Sequence, residues 1–117
     1  MTDPVGSWIE ENGTLLRLRL ARPKANILDS EMIRAISEEL EKHSGNPKLR
    51  GLLLDAEGPH FSFGASVEEH LPEQCEAMLH DFHQLLLKML GLPYPVLVVI
   101  RGQCLGGGLE LACAGSQ

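Results

Sequence analysis

Val96-Leu97-Val98-Val99-Ile100-Arg101-Gly102-Gln103-Cys104-Leu105-Gly106-Gly107-Gly108-Leu109-Glu110 joins a β-branched, aliphatic run to a glycine-rich bend and then to a carboxylate. The run predicts a buried strand over Val96 to Ile100, and Leu109 to Ala114 predicts a helix that begins within the triple glycine. First-turn amides of a helix have no intrahelical acceptor, and glycine lets a ligand reach the main chain. The bend therefore offers free N–H groups beside a general acid or base at Glu110, which lies about one helical turn past Gly107. A plain structural reading is equally open at this point: the glycines form a flexible turn, and Glu110 is a first-turn acid that complements the helix dipole.

A second bend favours the functional reading. Leu52-Leu53-Leu54 predicts a short buried strand, and Gly58-Pro59-His60-Phe61-Ser62-Phe63-Gly64-Ala65-Ser66 is the loop that leaves it. Pro72 suits the first turn of a long helix with Cys75, Met78, Leu79, Phe82, Leu86 and Met89 on its apolar side. Leu92-Pro93-Tyr94-Pro95 stops that helix and leads into the strand at Val96. A helical crossover makes the two strands parallel neighbours, so their following loops emerge at one end of the sheet, where open α/β sheets bind ligands. Amides from Gly64-Ala65-Ser66 and Gly106-Gly107-Gly108 would together form an oxyanion hole.

Upstream, the alternation around Asn12-Gly13 predicts a hairpin of two antiparallel strands within residues 8–20. Arg22-Pro23-Lys24-Ala25-Asn26 breaks the alternation. Asp29 or Ser30 then caps a helix bearing Ile33, Ile36 and Leu40, which Gly45-Asn46-Pro47 ends.

At 117 residues and 44% hydrophobic content, the chain suits one small α/β domain with a core. A net charge of -6 argues against nucleic acid as a partner, which calls for clustered basic residues. Unclustered Cys75, Cys104 and Cys113, together with no signal-peptide pattern, suggest a reduced, cytoplasmic protein, and no apolar run approaches the roughly 20 residues that cross a bilayer. His80 and His83, with Cys75 and Glu76 a turn earlier, read as a solvated or partly buried helix face, so no metal is expected. His43, His60 and His70 default to surface roles, and Cys104 and Cys113 to small packing residues. Gly102 to Gly108 fits neither a P-loop nor a dinucleotide fingerprint.

The pieces Arg22-Pro23-Lys24-Ala25-Asn26-Ile27-Leu28, Phe61-Ser62-Phe63-Gly64-Ala65-Ser66-Val67 and Arg101 to Leu111 resemble the crotonase family, the enoyl-CoA hydratases and isomerases. The match covers essentially the whole chain, three motifs in the family's order make it specific, and their detail narrows the likeness to hydratases of a dienoyl-CoA. The resemblance implies a crotonase-like (ClpP/crotonase) α/β fold of repeated ββα units, with residues 1–117 as the N-terminal part of a single domain. It implies Ala65 and Gly107 as donors to a thioester oxygen and Glu110 as one of two acids that handle water and proton. Lys24 and Ala25 would line the CoA path, with Lys24 equally readable as a solvated turn residue. Phe63, Ser66 and Val67 would border the acyl and pantetheine groove, with Gly64 and Gly106 beside the donors.

Two positions depart from the pattern: Ser66 stands where many members have Asp, and Glu68 where some carry a lysine near adenine. The family's second acid would follow Gln117, so the 117 residues alone are expected to be inactive. The implied activity is addition of water to a conjugated enoyl- or dienoyl-CoA, with coenzyme A entering as part of the substrate and no cofactor needed. Enoyl-CoA isomerisation, or a silent fragment that binds CoA esters or self-assembles, are the alternatives. Relatives assemble as trimers or pairs of trimers, so a homo-oligomer is expected.

Overall fold

The computed structural model describes residues 3–22, 25–64 and 72–116, with side chains in the last span from residue 76 onward. Strands β1 (Val5–Glu10) and β2 (Leu15–Leu20) form the expected antiparallel hairpin, with Glu10 opposite Leu15. Its connection is a four-residue loop, Glu11 to Thr14, in which Glu11, Asn12 and Gly13 all take positive φ (54°, 58° and 90°). Helix α1 (Ser30–Lys42) follows, and Asp29 is its cap: its side chain accepts from the Met32 amide at 2.9 Å. The apolar spacing in α1 buries Met32, Ile33, Ile36 and Leu40.

Strand β3 (Gly51–Ala56) is twice the predicted length because all six residues pair in parallel with β2, from Leu15 opposite Gly51 to Leu20 opposite Ala56. Helix α2 (Pro72–Leu90) crosses back to β4 (Val96–Val98), which runs parallel to β3 with Leu52 opposite Val96. Helix α3 (Gly107–Cys113) closes the order, and the sheet reads β1-β2-β3-β4.

Period-two alternation decides which face is buried. Leu16, Leu18 and Leu20 on β2, and Leu52, Leu54 and Ala56 on β3, share one face and form a single core with Ile33, Ile36 and Leu40 of α1 and Met78, Phe82, Leu85 and Met89 of α2. The α2 stripe differs from the predicted one. Leu79 is exposed and Leu85 is wholly buried, because 78, 82, 85 and 89 follow a four-three-four spacing that keeps one line facing the sheet.

Strand β4 also departs from expectation, ending at Val98 rather than Ile100. The Val99 amide still donates to Leu54 O at 2.9 Å, but Arg101 O accepts from Phe61 N at 2.8 Å, so the chain has turned from β3 to the loop after it. Val99 and Ile100 are exposed, as are Leu97, Leu105 and Leu109. Among the described residues no helix is long and apolar enough to cross a membrane.

The opposite face of the sheet carries charge. Asp55 accepts two bonds from Arg19 (2.9 and 2.8 Å) and one from Arg17 (3.0 Å), while Arg17 also reaches Glu10 at 3.1 Å. Both guanidiniums lie 5.0 Å from the Trp8 ring. Burial by itself raises the Asp55 pKa, but the hydrogen bonds and charge of Arg19, then Arg17, outweigh it and hold the carboxyl below its ordinary value.

A depressed carboxylate pKa adds stability that is present above the unfolded value, near 3.9, and is lost as pH falls through the folded value. In urea unfolding of the protein carrying this segment, Asp55→Asn should cost about 1–2 kcal/mol at neutral pH, solvent screening on this half-open face keeping the figure modest. The gap to the parent should close in acid, as the parent's Asp55 takes up its proton.

Candidate active site

Asn26 starts the construction. It is fully buried with φ at 44°, a backbone state that asparagine tolerates better than most residues. Its side chain donates to Glu57 O and His60 O, both at 3.1 Å, and accepts from the Arg22 amide at 2.9 Å. Arg22 in turn holds the α1 cap through Asp29 at 2.6 Å. The turn before α1 is thus tied to the loop after β3. Phe63 N donates to Ala25 O and Leu28 N to Gly64 O, each at 2.8 Å, so the two segments lie side by side.

The loop after β4 joins on the other side. Phe61 N is shared between Arg101 O (2.8 Å) and Gln103 O (3.1 Å), Ser62 N donates to Gln103 O at 3.2 Å, and Leu105 N donates to Ser62 O at 3.0 Å. Ser62 and Cys104 form a parallel bridge. The Ser62 hydroxyl, wholly buried, donates to Asn26 O at 2.8 Å and accepts from Gly64 N at 3.0 Å.

These ties press the two bends into contact, which explains their glycines. Gly64 has φ at 98°, and a Cβ there would stand 2.8 Å from Leu105 O and 3.1 Å from Gly107 N. A Cβ on Gly108 would lie 2.8 Å from the Ser62 Cβ and 2.9 Å from its carbonyl oxygen. Gly106, the α3 cap, has φ at 49°.

Among the described residues the Gly107 amide donates to no acceptor, and it lies directly against the Gly64 backbone. Glu110 is in the first turn of α3, its amide bonded to Gly106 O at 3.1 Å. Its side chain is exposed and has no partner among the described residues. Ala25 and Phe63 border the same junction. Of the residues singled out from sequence, Ala25, Phe63, Gly64, Gly106 and Gly107 come together, with Glu110 on the adjoining turn. Lys24, Ala65, Ser66, Val67 and Glu68 lie outside the described residues.

Two expectations are corrected. Cys104 packs against the core, and burial, with a smaller contribution from Cys113, pushes its thiol pKa up; Cys113, however, is exposed because it ends α3 on the side away from the core. His60 is no isolated surface residue: its Nδ1 accepts from Gln103 N at 2.9 Å and its ring lies tilted against Phe63, centroids 4.9 Å apart. His80 and His83 are exposed, with His80 beside Glu76 and Asp81 in an open groove on α2.

Sequence reasoning missed Asn26 and Ser62 as site residues. Their signal is polarity in apolar company, asparagine between Ala25 and Ile27 and serine between Phe61 and Phe63, which marks buried polar groups with fixed partners.

A family model described as enoyl-CoA hydratase/isomerase matches residues 10–115. The chain is 60% identical over 115 residues to a cyclohexa-1,5-dienecarbonyl-CoA hydratase of Thauera aromatica, covering 98% of this chain and 45% of that protein. It is 32% identical over 101 residues to a probable enoyl-CoA hydratase of Bacillus subtilis, covering 83% of this chain and 39% of that one. A solved structure of an enoyl-CoA hydratase/carnithine racemase from Magnetospirillum magneticum superposes with a TM-score of 0.88 at 31% identity, covering 99% of this chain and 45% of that one. The chain therefore spans less than half the length of these relatives.

Asn26→Ala removes a donor to two carbonyls and the acceptor of one amide, and should lower unfolding stability by about 1–3 kcal/mol in denaturant titration. Gly108→Ala should cost a similar amount, about 1–3 kcal/mol, because the added methyl meets Ser62 backbone that is itself hydrogen-bonded and cannot yield.

Proposed function

The chain belongs to the enoyl-CoA hydratase/isomerase family, and from that premise we propose that it supplies the oxyanion hole and one catalytic carboxylate of an acyl-CoA hydratase. The observation that carries the reading is the abutment of two bends, with the Gly107 amide, which has no acceptor among the described residues, against Gly64. By resemblance the second donor is the amide of Ala65, the next residue in the chain.

The chemistry follows from charge. A thioester conjugated to a carbon–carbon double bond gains negative charge on its carbonyl oxygen as water adds, and preorganised amides stabilise that oxygen without reorganising. Glu110, one turn along α3, takes the proton from water as the water oxygen bonds to the alkene carbon. The electron pair of the alkene moves toward the thioester, and a proton delivered by a second acid completes the addition. By resemblance that acid belongs to sequence following Gln117. No redox change occurs, so the thioester's own polarisation suffices, and coenzyme A enters as part of the substrate.

The substrate we assign is a cyclic, conjugated dienoyl-CoA, in keeping with the 60% identity to a cyclohexa-1,5-dienecarbonyl-CoA hydratase. Ala25, Lys24, Phe63, Ser66 and Val67 would line the path of the CoA and acyl groups. Self-association into a trimer or hexamer, and a cytoplasmic location, complete the proposal; the exposed Leu97, Val99, Ile100 and Leu109 supply apolar surface for assembly or for further chain.

The test is turnover by the full-length protein. Incubation with cyclohexa-1,5-dienecarbonyl-CoA should yield a product heavier by one water, as read by mass spectrometry. Glu110→Gln should lower kcat by about 100-fold or more while acyl-CoA binding by calorimetry persists. An isomer of unchanged mass, or undiminished turnover by the variant, would overturn the assignment.

A further inference from the structure

We propose that His60 is a positioning residue for the oxyanion hole, acting through the Gln103 amide; the inference rests on the hydratase reading above. Its ring lies between Phe63 of its own loop and Gly102–Gln103 of the loop after β4. Nδ1 accepts from Gln103 N at 2.9 Å, so the neutral ring carries its proton on Nε2. The main chain of His60 is fixed independently, because its carbonyl takes a bond from the buried Asn26 side chain at 3.1 Å. The Phe63 ring lies tilted by 37° against it, with the centroids 4.9 Å apart.

The bend responds to this contact in its own backbone. Gly102 has φ at 61°, and a Cβ there would collide with Pro59 O and His60 Nδ1, so the main chain is drawn hard against the histidine. From Gln103 the chain passes through Cys104 and Leu105, both tied to Ser62, to the amide of Gly107. His60 thus fixes the entry to the bend, as Ser62 fixes its middle. Without an acceptor at Nδ1 the Gln103 amide loses its partner and the entry to the bend loosens, and oxyanion geometry depends on sub-ångström placement of donors.

Two variants of the full-length protein separate the acceptor from the bulk of the side chain. His60→Asn keeps an acceptor, Oδ1, at the same two-bond distance from Cβ; His60→Leu keeps volume and removes it. Neither touches the His60 carbonyl that Asn26 uses. In His60→Leu the Gln103 amide should exchange with deuterium about tenfold faster. Its kcat on cyclohexa-1,5-dienecarbonyl-CoA should fall about tenfold, a fraction of the loss when an oxyanion donor is removed outright, with KM little changed.

His60→Asn should retain both properties. Unchanged exchange in His60→Leu, equal losses in the two variants, or faster exchange with undiminished kcat would overturn the proposal. If the parent hydrates no dienoyl-CoA, the hydratase reading fails by itself and takes the oxyanion role with it, while the exchange comparison still decides whether His60 holds the bend.

Discussion

Everything near the site depends on how Ser62 is held. Its amide, carbonyl and hydroxyl bind three different stretches of chain: Gln103 and Leu105 on one side, Asn26 on the other, and Gly64 within its own loop. A fully buried serine with its hydroxyl both donating and accepting loses little by leaving water, whereas any one bond broken would strand a polar group in the interior. That requirement fixes the separation of the two bends, and the separation in turn demands glycine at 64 and 108. The catalytic reading is a consequence of this packing: an amide at the start of a helix is ordinarily free, and here it is also brought against the buried Gly64 backbone of the other bend.

The sheet provides the rigid reference. Parallel pairing of β2, β3 and β4 sends the loops after β3 and β4 out at the same end, and continuous registry from Leu15 to Leu20 against β3 leaves no slack in where those loops begin. One face is sealed by leucines and two helices. The other is held by Asp55 between two arginines stacked near Trp8, so both faces oppose a slip of register, which would place leucine and carboxylate on the wrong sides.

Most of the frame was legible in the sequence because it follows simple periods. Alternation in 15–20 and helical spacing in 30–42 each reflect one buried face, and the capping pair Asp29-Ser30 marked the α1 start, with Asp29 taking the role. What was not legible depends on partners distant in the chain. Ile100 has the composition of a strand residue, yet the chain turns away at Val98 because Phe61 captures Arg101 O; no local pattern encodes that. Leu79 and Leu85 are chemically alike, and only the direction in which α2 meets the sheet buries one of them. The glycine bends and Glu110 stood out as chemistry-bearing residues, whereas Asn26, Ser62 and His60, whose work is to hold those bends, looked like ordinary polar residues until their partners were known.

In the hydratase proposed above, these bends hold amides where a thioester oxygen acquires charge. Difference infrared spectroscopy of an unreactive acyl-CoA, isotopically labelled at the thioester carbonyl and bound to the full-length protein, reads that polarisation directly. The carbonyl stretch should move to lower frequency on binding, since donors that favour the charged oxygen weaken the C=O bond. A bound carbonyl that absorbs where the free thioester does in water, or higher, would contradict it.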